Sequence, residues 1–159
     1  MTSQDTQTGP IHGGSPVPLS AKWLGGTGAL PFIAAALLTV FGPQSWSAWA
    51  AYALAVYGAV ILSFLGGIQW GLTMGRDGLP NLSATRLCMS VVPSLIGWIA
   101  LLMPVFPGLL VLAAAFALVL YLDLQASIRG EAPAWYPRLR IPLSIAVMGS
   151  LLVGSLGAV

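Results

Sequence analysis

The uncharged stretch from Trp23 to Gly75 decides the fold: WLGGTGALPFIAAALLTVFGPQSWSAWAAYALAVYGAVILSFLGGIQWGLTMG. An α-helix rises about 1.5 Å per residue, so about 20 apolar residues cross the ~30 Å hydrocarbon core of a bilayer. The stretch is therefore long enough for two crossings. The cluster Gly42-Pro43-Gln44-Ser45 is typical of a turn and divides it. We predict a first span over Trp23–Phe41 and a second over Trp46–Met74.

The remainder of the chain predicts three more spans. A second uncharged run covers Leu87–Leu122, and the residues Met103-Pro104-Val105-Phe106-Pro107-Gly108 break it into a hairpin. Pro142 suits the first turn of a last helix, where its missing N–H is not needed. A four-span arrangement, with the hairpin re-entering the membrane, keeps the same charge distribution and stays open. The predicted spans are Leu87–Met103, Pro107–Leu122 and Ile141–Val159.

Composition excludes most soluble functions. Hydrophobic residues make up 57% of the chain and charged residues only 6%, against about 25% charged in a typical soluble domain. We therefore predict an all-α integral membrane bundle of five transmembrane helices over residues 22–159. Residues 1–21, rich in Ser, Thr, Gly and Pro, predict a disordered cytoplasmic tail. A net charge of +2 is too small to indicate a nucleic-acid partner.

The positions of Lys and Arg predict the orientation of the chain, because basic residues concentrate on the cytoplasmic side. If five spans alternate, all six basic residues fall on one side of the membrane. This predicts a multi-pass protein of the bacterial inner (cytoplasmic) membrane, with a cytoplasmic N-terminus and a periplasmic C-terminus. The six residues are Lys22, Arg76, Arg86, Arg129, Arg138 and Arg140.

Small residues recur at every fourth position in the second and fifth spans. Positions four apart share one helix face, and small residues there let another helix approach closely in the membrane. The two ridges predict packing against neighbouring helices, or alternatively an interface with a partner protein or a second copy. They consist of Ala51, Ala55, Ala59, Ser63, Gly67, Gly71 and Gly75, and of Ala146, Ser150, Gly154 and Ala158.

Polar residues near one end of the spans form the candidate site. Gln69, Thr73 and Arg76 share one helix side, and the amide of Gln69 needs partners inside a membrane. This face predicts either interhelical hydrogen bonding or a small polar site that opens to the cytoplasm. Gly66 lies one turn earlier and leaves space beside Gln69.

Asp123 ends the predicted fourth span and needs a cationic partner at that depth. We predict a structural pair with Arg140 or with Arg86, and a proton relay is the alternative. Trp135 and Tyr136 are expected at the headgroup level, with Arg138 and Arg140 near lipid phosphates. The whole candidate polar and packing site is Gly66, Gly67, Gln69, Trp70, Gly71, Thr73, Arg76, Asp123, Trp135, Tyr136 and Arg140.

Two motifs resemble a known family. The sequence Phe64-Leu65-Gly66-Gly67-Ile68-Gln69-Trp70-Gly71 and the element from Pro133 to Arg140, PAWYPRLR, are similar to those of small multispan proteins of unknown function. That family includes the transmembrane protein 69-like proteins of mitochondria, which also share a start like Gly28-Ala29-Leu30-Pro31-Phe32. Relatives often carry His at the position of Gln69, a departure that puts proton transfer there in doubt. The resemblance implies a membrane protein and no particular activity.

Three classes of function compete on this evidence. We predict a non-catalytic accessory or assembly subunit of a membrane complex, because the small-residue ridges are the best-developed feature. A small-solute or lipid transporter or channel that uses the Gln69 face is the alternative. An enzyme would need converging reactive groups, for which Asp123 with Arg86 or Arg140 is the candidate. No phosphate loop, zinc spacing or nucleophile elbow is present, and we predict no cofactor and no metal.

Overall fold

Five α-helices make up the part of the chain that the structure describes. The computed structural model describes residues 17–74, 84–130, 132–133 and 135–158, with side chains for all of these except 72–74 and 84–89. No strand occurs in these residues. The helices are α1 (Leu19–Phe41), α2 (Gln44–Met74), α3 (Ala84–Leu102), α4 (Val105–Ile128) and α5 (Tyr136–Leu156).

Neighbouring helices alternate in direction. In α2 and α3, Gly66 faces Ser90 while Ala59 faces Gly97, which is an antiparallel order. In α3 and α4, Gly108 lies against the backbone of Ala100 close to the connecting turn. The N-terminus of α1, the C-termini of α2 and α4 and the N-terminus of α5 therefore share one end of the bundle, which we call the Asp123 end.

Length and composition identify a membrane protein. Four helices are long and apolar enough to cross a bilayer: Leu19–Phe41, Gln44–Gly71, Val105–Ile128 and Tyr136–Leu156. In α3 the described apolar segment is shorter, Ser90–Leu102. The predicted all-α membrane bundle of five helices is thereby confirmed. Whether α3 crosses completely or forms the re-entrant arm of a hairpin stays a prediction.

The predicted ends of the last two spans were wrong. α4 continues past Asp123 to Ile128, and α5 begins at Tyr136 instead of Ile141. The prediction ended each span at its first charge, but the ionic partners of Asp123 lie within the bundle and allow the helix to continue. Pro137 therefore occupies the first turn of α5, and Pro142 lies inside that helix. The predicted tail 1–21 lies mostly outside the described residues, and its last three residues belong to α1.

The core of the bundle is built around aromatic side chains. Phe32 of α1 packs edge-on against Tyr57 of α2 and Phe116 of α4, with ring centroids 4.9 and 5.9 Å apart. The Tyr57 hydroxyl donates a hydrogen bond of 3.0 Å to the carbonyl oxygen of Gly28. Leu151 of α5 is completely buried beside this cluster. These contacts join α1, α2, α4 and α5 into one unit.

At the opposite end, Ser47 connects three helices. Its hydroxyl lies 2.8 Å from the carbonyl oxygen of Thr39 and 3.1 Å from that of Gly157. Carbonyls at the C-terminus of a helix have no partner within the helix. A short polar side chain near the start of α2 thus satisfies carbonyls where α1 and α5 end.

Adjacent glycines in α2 provide a test of the α2–α3 contact. A Cβ at Gly66 would clash with the carbonyl oxygen of Ser90, whereas a Cβ at Gly67 would meet nothing within 4 Å. We expect Gly66→Ala to lower the free energy of unfolding by about 1–3 kcal/mol, the usual cost of overpacking. Gly67→Ala should be neutral or stabilising by about 0.5–1 kcal/mol, since Ala is the better helix former. Thermal unfolding in detergent measures both, and equal melting temperatures would contradict the close approach of α2 and α3.

Candidate functional site

A buried carboxylate joins three helices at the Asp123 end. Asp123 of α4 has a side chain only 3% exposed. Its Oδ1 accepts a hydrogen bond of 2.5 Å from the Nε2 amide of Gln69 on α2. Its Oδ2 accepts one of 2.6 Å from Nε of Arg140 and one of 3.3 Å from the Tyr136 hydroxyl, both on α5. We call these four residues the Asp123 junction.

The local sequence explains why these side chains meet. Tyr136 and Arg140 lie four positions apart on α5, so they project from one helix face. Gln69 lies near the C-terminal end of α2 and Asp123 near that of α4, and these ends share one side of the bundle. A carboxylate removed from water needs both charge compensation and hydrogen bonds. Arg140 supplies the compensating positive charge. Gln69, Tyr136 and Arg140 each donate a hydrogen bond to the carboxylate.

Arg140 makes one of the two contacts expected for it. Its side chain is 12% exposed and forms an ion pair with Asp123, so the predicted Asp123–Arg140 pair is present. The expectation that Arg140 lies beside lipid phosphates stays a prediction, and its Nε atom is turned toward Asp123 of α4. Arg138, two positions earlier, is exposed. The side chain of Arg86, the alternative partner, lies outside the described residues.

The described contacts of Asp123 are hydrogen bonds between helices. Both oxygens of Asp123 accept hydrogen bonds from neighbouring helices. The Gln69 amide is turned toward Asp123, as the hypothesis of interhelical hydrogen bonding expects. The side chains of Thr73 and Arg76, the other members of the Gln69 face, lie outside the described residues.

The two small-residue ridges have different surroundings. On α5, Ser150 and Gly154 are buried, and Gly154 lies against Leu54 of α2 and Ala36 of α1. The α5 ridge therefore packs against other helices of the same chain. On α2 the ridge divides into a buried part and an exposed part. Ala51, Ala55 and Ala59 are buried, while Ser63, Gly67 and Gly71 are exposed.

The aromatic members of the candidate site lie around the junction. Trp135 packs edge-on against Tyr136, with ring centroids 6.2 Å apart, and both rings are half-buried. Trp70 of α2 is exposed. The structure thus brings Gln69, Asp123, Tyr136 and Arg140 together. Gly67, Trp70 and Gly71 lie instead on the outer surface of α2.

Sequence reasoning missed a cavity next to the junction. It has a volume of about 230 Å³ and lies between α1, α2 and α5, with a mostly apolar wall that includes Gly28, Phe64 and Leu143. Arg140 and Ser144 line it. The only sequence signal for this was the placement of Ser144 four residues after Arg140, which is too common in helices to stand out.

Replacement of the Asp123 carboxylate tests the junction. Asp123→Asn keeps the shape but removes the charge opposite Arg140. We expect it to lower the free energy of unfolding by about 1.5–3 kcal/mol, the value of a hydrogen bond to a charged group. Arg138→Gln, which removes an exposed charge of the same helix, should cost less than about 0.5 kcal/mol. Thermal unfolding in detergent compares the two variants. An unchanged melting temperature for Asp123→Asn would show that the junction does not stabilise the fold.

The chain matches known sequences along most of its length. Residues 17–156 match the model of a family described as protein of unknown function (DUF3429). Transmembrane protein 69 of Xenopus tropicalis is 34% identical over 145 residues, which cover 87% of this chain and 54% of that protein. Transmembrane protein 69 of Mus musculus is 28% identical over 136 residues, which cover 86% and 55%.

The chain spans about half the length of these curated relatives. No solved structure matches it. The fold, the helix composition and the matched region agree with the resemblance carried by the two sequence motifs. The chain belongs to the DUF3429 family of membrane proteins of unknown function, together with proteins named transmembrane protein 69.

Proposed function

We propose that the protein is a non-catalytic accessory or assembly subunit, which binds a helix of a larger membrane complex through an exposed stripe on α2. The stripe consists of Ser63, Gly67 and Gly71. The observation that supports this proposal is the exposure of these residues, while the preceding part of the same ridge is buried, with Ala59 against Gly97 of α3.

Small residues on a lipid-facing surface favour a protein neighbour. Lipid chains are as apolar as leucine, so helices associate in a bilayer through close packing and hydrogen bonds instead of the hydrophobic effect. Gly67 leaves a shallow depression, and the exposed side chains of Phe64 and Trp70 lie beside it. A second helix can approach this surface closely, with Ser63 available for an interhelical hydrogen bond.

The transport alternative has less support in the described residues. It required the Gln69 face to line a polar cavity. The Gln69 amide instead donates to Asp123, and Gln69 is absent from the wall of the cavity between α1, α2 and α5. We therefore keep the accessory role as the proposal and treat transport of a small solute or lipid as the competing hypothesis.

A matched pair of glycines tests the proposed interface. We expect Gly67→Leu to reduce co-purification of partner proteins about tenfold or more, because the side chain blocks close approach. Gly149→Leu on α5 is the control, since both glycines are exposed and a Cβ at either meets nothing within 4 Å. Native mass spectrometry of protein purified from its own membranes in mild detergent measures the partner. A wild-type monomer or homodimer, or equal partner recovery from both variants, would contradict the proposal.

We further propose that the membrane is the bacterial inner membrane and that the Asp123 end faces the cytoplasm. Support comes from the positive-inside rule, because Lys22, Arg129, Arg138 and Arg140 lie at this end, and Arg76 and Arg86 fall in the sequence between the end of α2 and the first turn of α3. The test places single cysteines in a chain whose one natural cysteine, Cys88, is replaced by Ser. In intact cells with a permeable outer membrane, a membrane-impermeant thiol reagent should label Gln44→Cys and spare Ser20→Cys. The reverse pattern would invert the topology.

A further inference from the structure

Ser144 is the polar group that the bundle leaves unexplained. Its side chain is 1% exposed, and its hydroxyl has no hydrogen-bond partner among the described residues. Other hydroxyls of the bundle bond to carbonyls of their own helices: Ser150 to Ala146, Ser155 to Leu152 and Thr39 to Ala35. A buried hydroxyl without a partner costs free energy in an apolar environment.

A second unpartnered donor lies one turn away. The Nη2 atom of Arg140 is buried and also lacks a hydrogen-bond partner among the described residues, although Nε of the same side chain bonds to Asp123. Arg140 and Ser144 line the same cavity of about 230 Å³. Nη2 of Arg140 can only donate and the Ser144 hydroxyl can donate or accept, so one ligand with hydrogen-bond acceptors can satisfy both atoms.

The charge balance favours an uncharged acceptor. The guanidinium of Arg140 is already compensated by the carboxylate of Asp123, 2.6 Å away. A second carboxylate at Nη2 would be close to Asp123 and would be repelled by it. An ester carbonyl oxygen accepts hydrogen bonds without adding charge. This distinguishes an ester from a free fatty acid.

The shape and position of the cavity favour a membrane lipid. Its wall continues from Arg140 to Val147, a helix rise of about 10 Å. Leu24 and Phe64, which lie on its rim, are 76% and 63% exposed, so the cavity opens toward the surrounding lipid. The donors lie near the start of α5, close to the interface, and the apolar wall extends toward the centre of the membrane. A bilayer phospholipid has its ester carbonyls and acyl chains in this order.

We infer that this cavity is a binding site for one glycerophospholipid of the adjacent leaflet. The ester carbonyl oxygens accept hydrogen bonds from Arg140 Nη2 and from the Ser144 hydroxyl, and one acyl chain lies along the apolar wall. The exposed basic residues Lys22 and Arg138 lie at the same end of the bundle and favour an anionic headgroup. The site does not depend on the proposed partner interface, which lies on the outer surface of α2.

Two glycines of α1 give a variant and its control. Gly28 lines the cavity, and a Cβ there meets nothing within 4 Å, so Gly28→Leu directs a side chain into open space. Gly26 also has open space around its Cβ but does not line this cavity. Leucine at either position has a higher helix propensity than glycine, and both variants should fold. Gly28→Leu also leaves the hydrogen bond of its own carbonyl oxygen with Tyr57 available.

The experiment measures lipid binding by native mass spectrometry of delipidated protein. The probes are dioleoyl phosphatidylglycerol and its diether analogue, which lacks the ester carbonyls. We expect the wild type and Gly26→Leu to bind one diester lipid about tenfold more tightly than the diether. Gly28→Leu should lose at least tenfold in affinity for the diester. Equal affinity of Gly28→Leu and Gly26→Leu, or of diester and diether for the wild type, would overturn the inference.

Ser144→Ala separates a ligand site from a packing defect. If the cavity binds the ester lipid, this variant should bind the diester several-fold more weakly and show a smaller rise in melting temperature on lipid addition. If Ser144 is only an unsatisfied core hydroxyl, its removal should raise the melting temperature and leave lipid affinity unchanged. The second outcome, or the recovery of a quinone or free fatty acid in place of phospholipid from native membranes, would also overturn the inference.

Discussion

The carboxylate of Asp123 is the point at which α2, α4 and α5 are held together. Its two oxygens accept hydrogen bonds from Gln69, Tyr136 and Arg140. In a bilayer the apolar surfaces of helices pack no better against each other than against lipid chains, so directional polar contacts contribute to specificity. The register of α5 against α4 follows from this junction, since Tyr136 and Arg140 must both reach one carboxylate.

The junction also determines where the unusual surfaces of the molecule lie. Arg140, which turns toward α4, and Ser144 also belong to the wall of the cavity beside α1. Because the Gln69 amide turns toward α4, the opposite surface of α2 presents Gly67 and Gly71 to the membrane. The two proposed interactions, with a lipid and with a partner helix, are centred on different residues and share Phe64 at their border.

Much of the fold could be predicted from the sequence, because membrane thickness restricts helix length and uncharged runs are unmistakable. The turn at Gly42-Pro43 and the hairpin near Pro104 follow from local chemistry alone. The position of Asp123 at the end of a predicted span also indicated that its carboxylate needs a cationic partner. The ends of α4 and α5 could not be predicted, since helix continuation through residues 123–128 and 136–140 depends on tertiary pairing of the charges. Whether each small-residue ridge is buried or exposed depends on the rotation of its helix about its axis. The four-residue spacing does not determine that rotation.

Less of the candidate site than of the fold could be predicted from the sequence. Gln69 and Asp123 were both candidates, but the hydrogen bond between them spans 54 positions and no local pattern reveals it. Ser144 carried no signal, because serine is ordinary in a membrane helix and usually bonds to its own backbone. Only the surrounding packing shows that this hydroxyl lacks a partner among the described residues and that Ser144 belongs to a cavity wall.

Exchange of the two charges tests the central role of the Asp123 junction most directly. Thermal unfolding in detergent would compare Asp123→Arg, Arg140→Asp and the double variant that carries both substitutions. Each single reversal places like charges together in a buried site, whereas the double variant restores an opposite pair between α4 and α5. We predict that the double variant recovers at least half of the melting temperature lost by the worse single variant. A double variant as unstable as that single variant would contradict the central role of the junction.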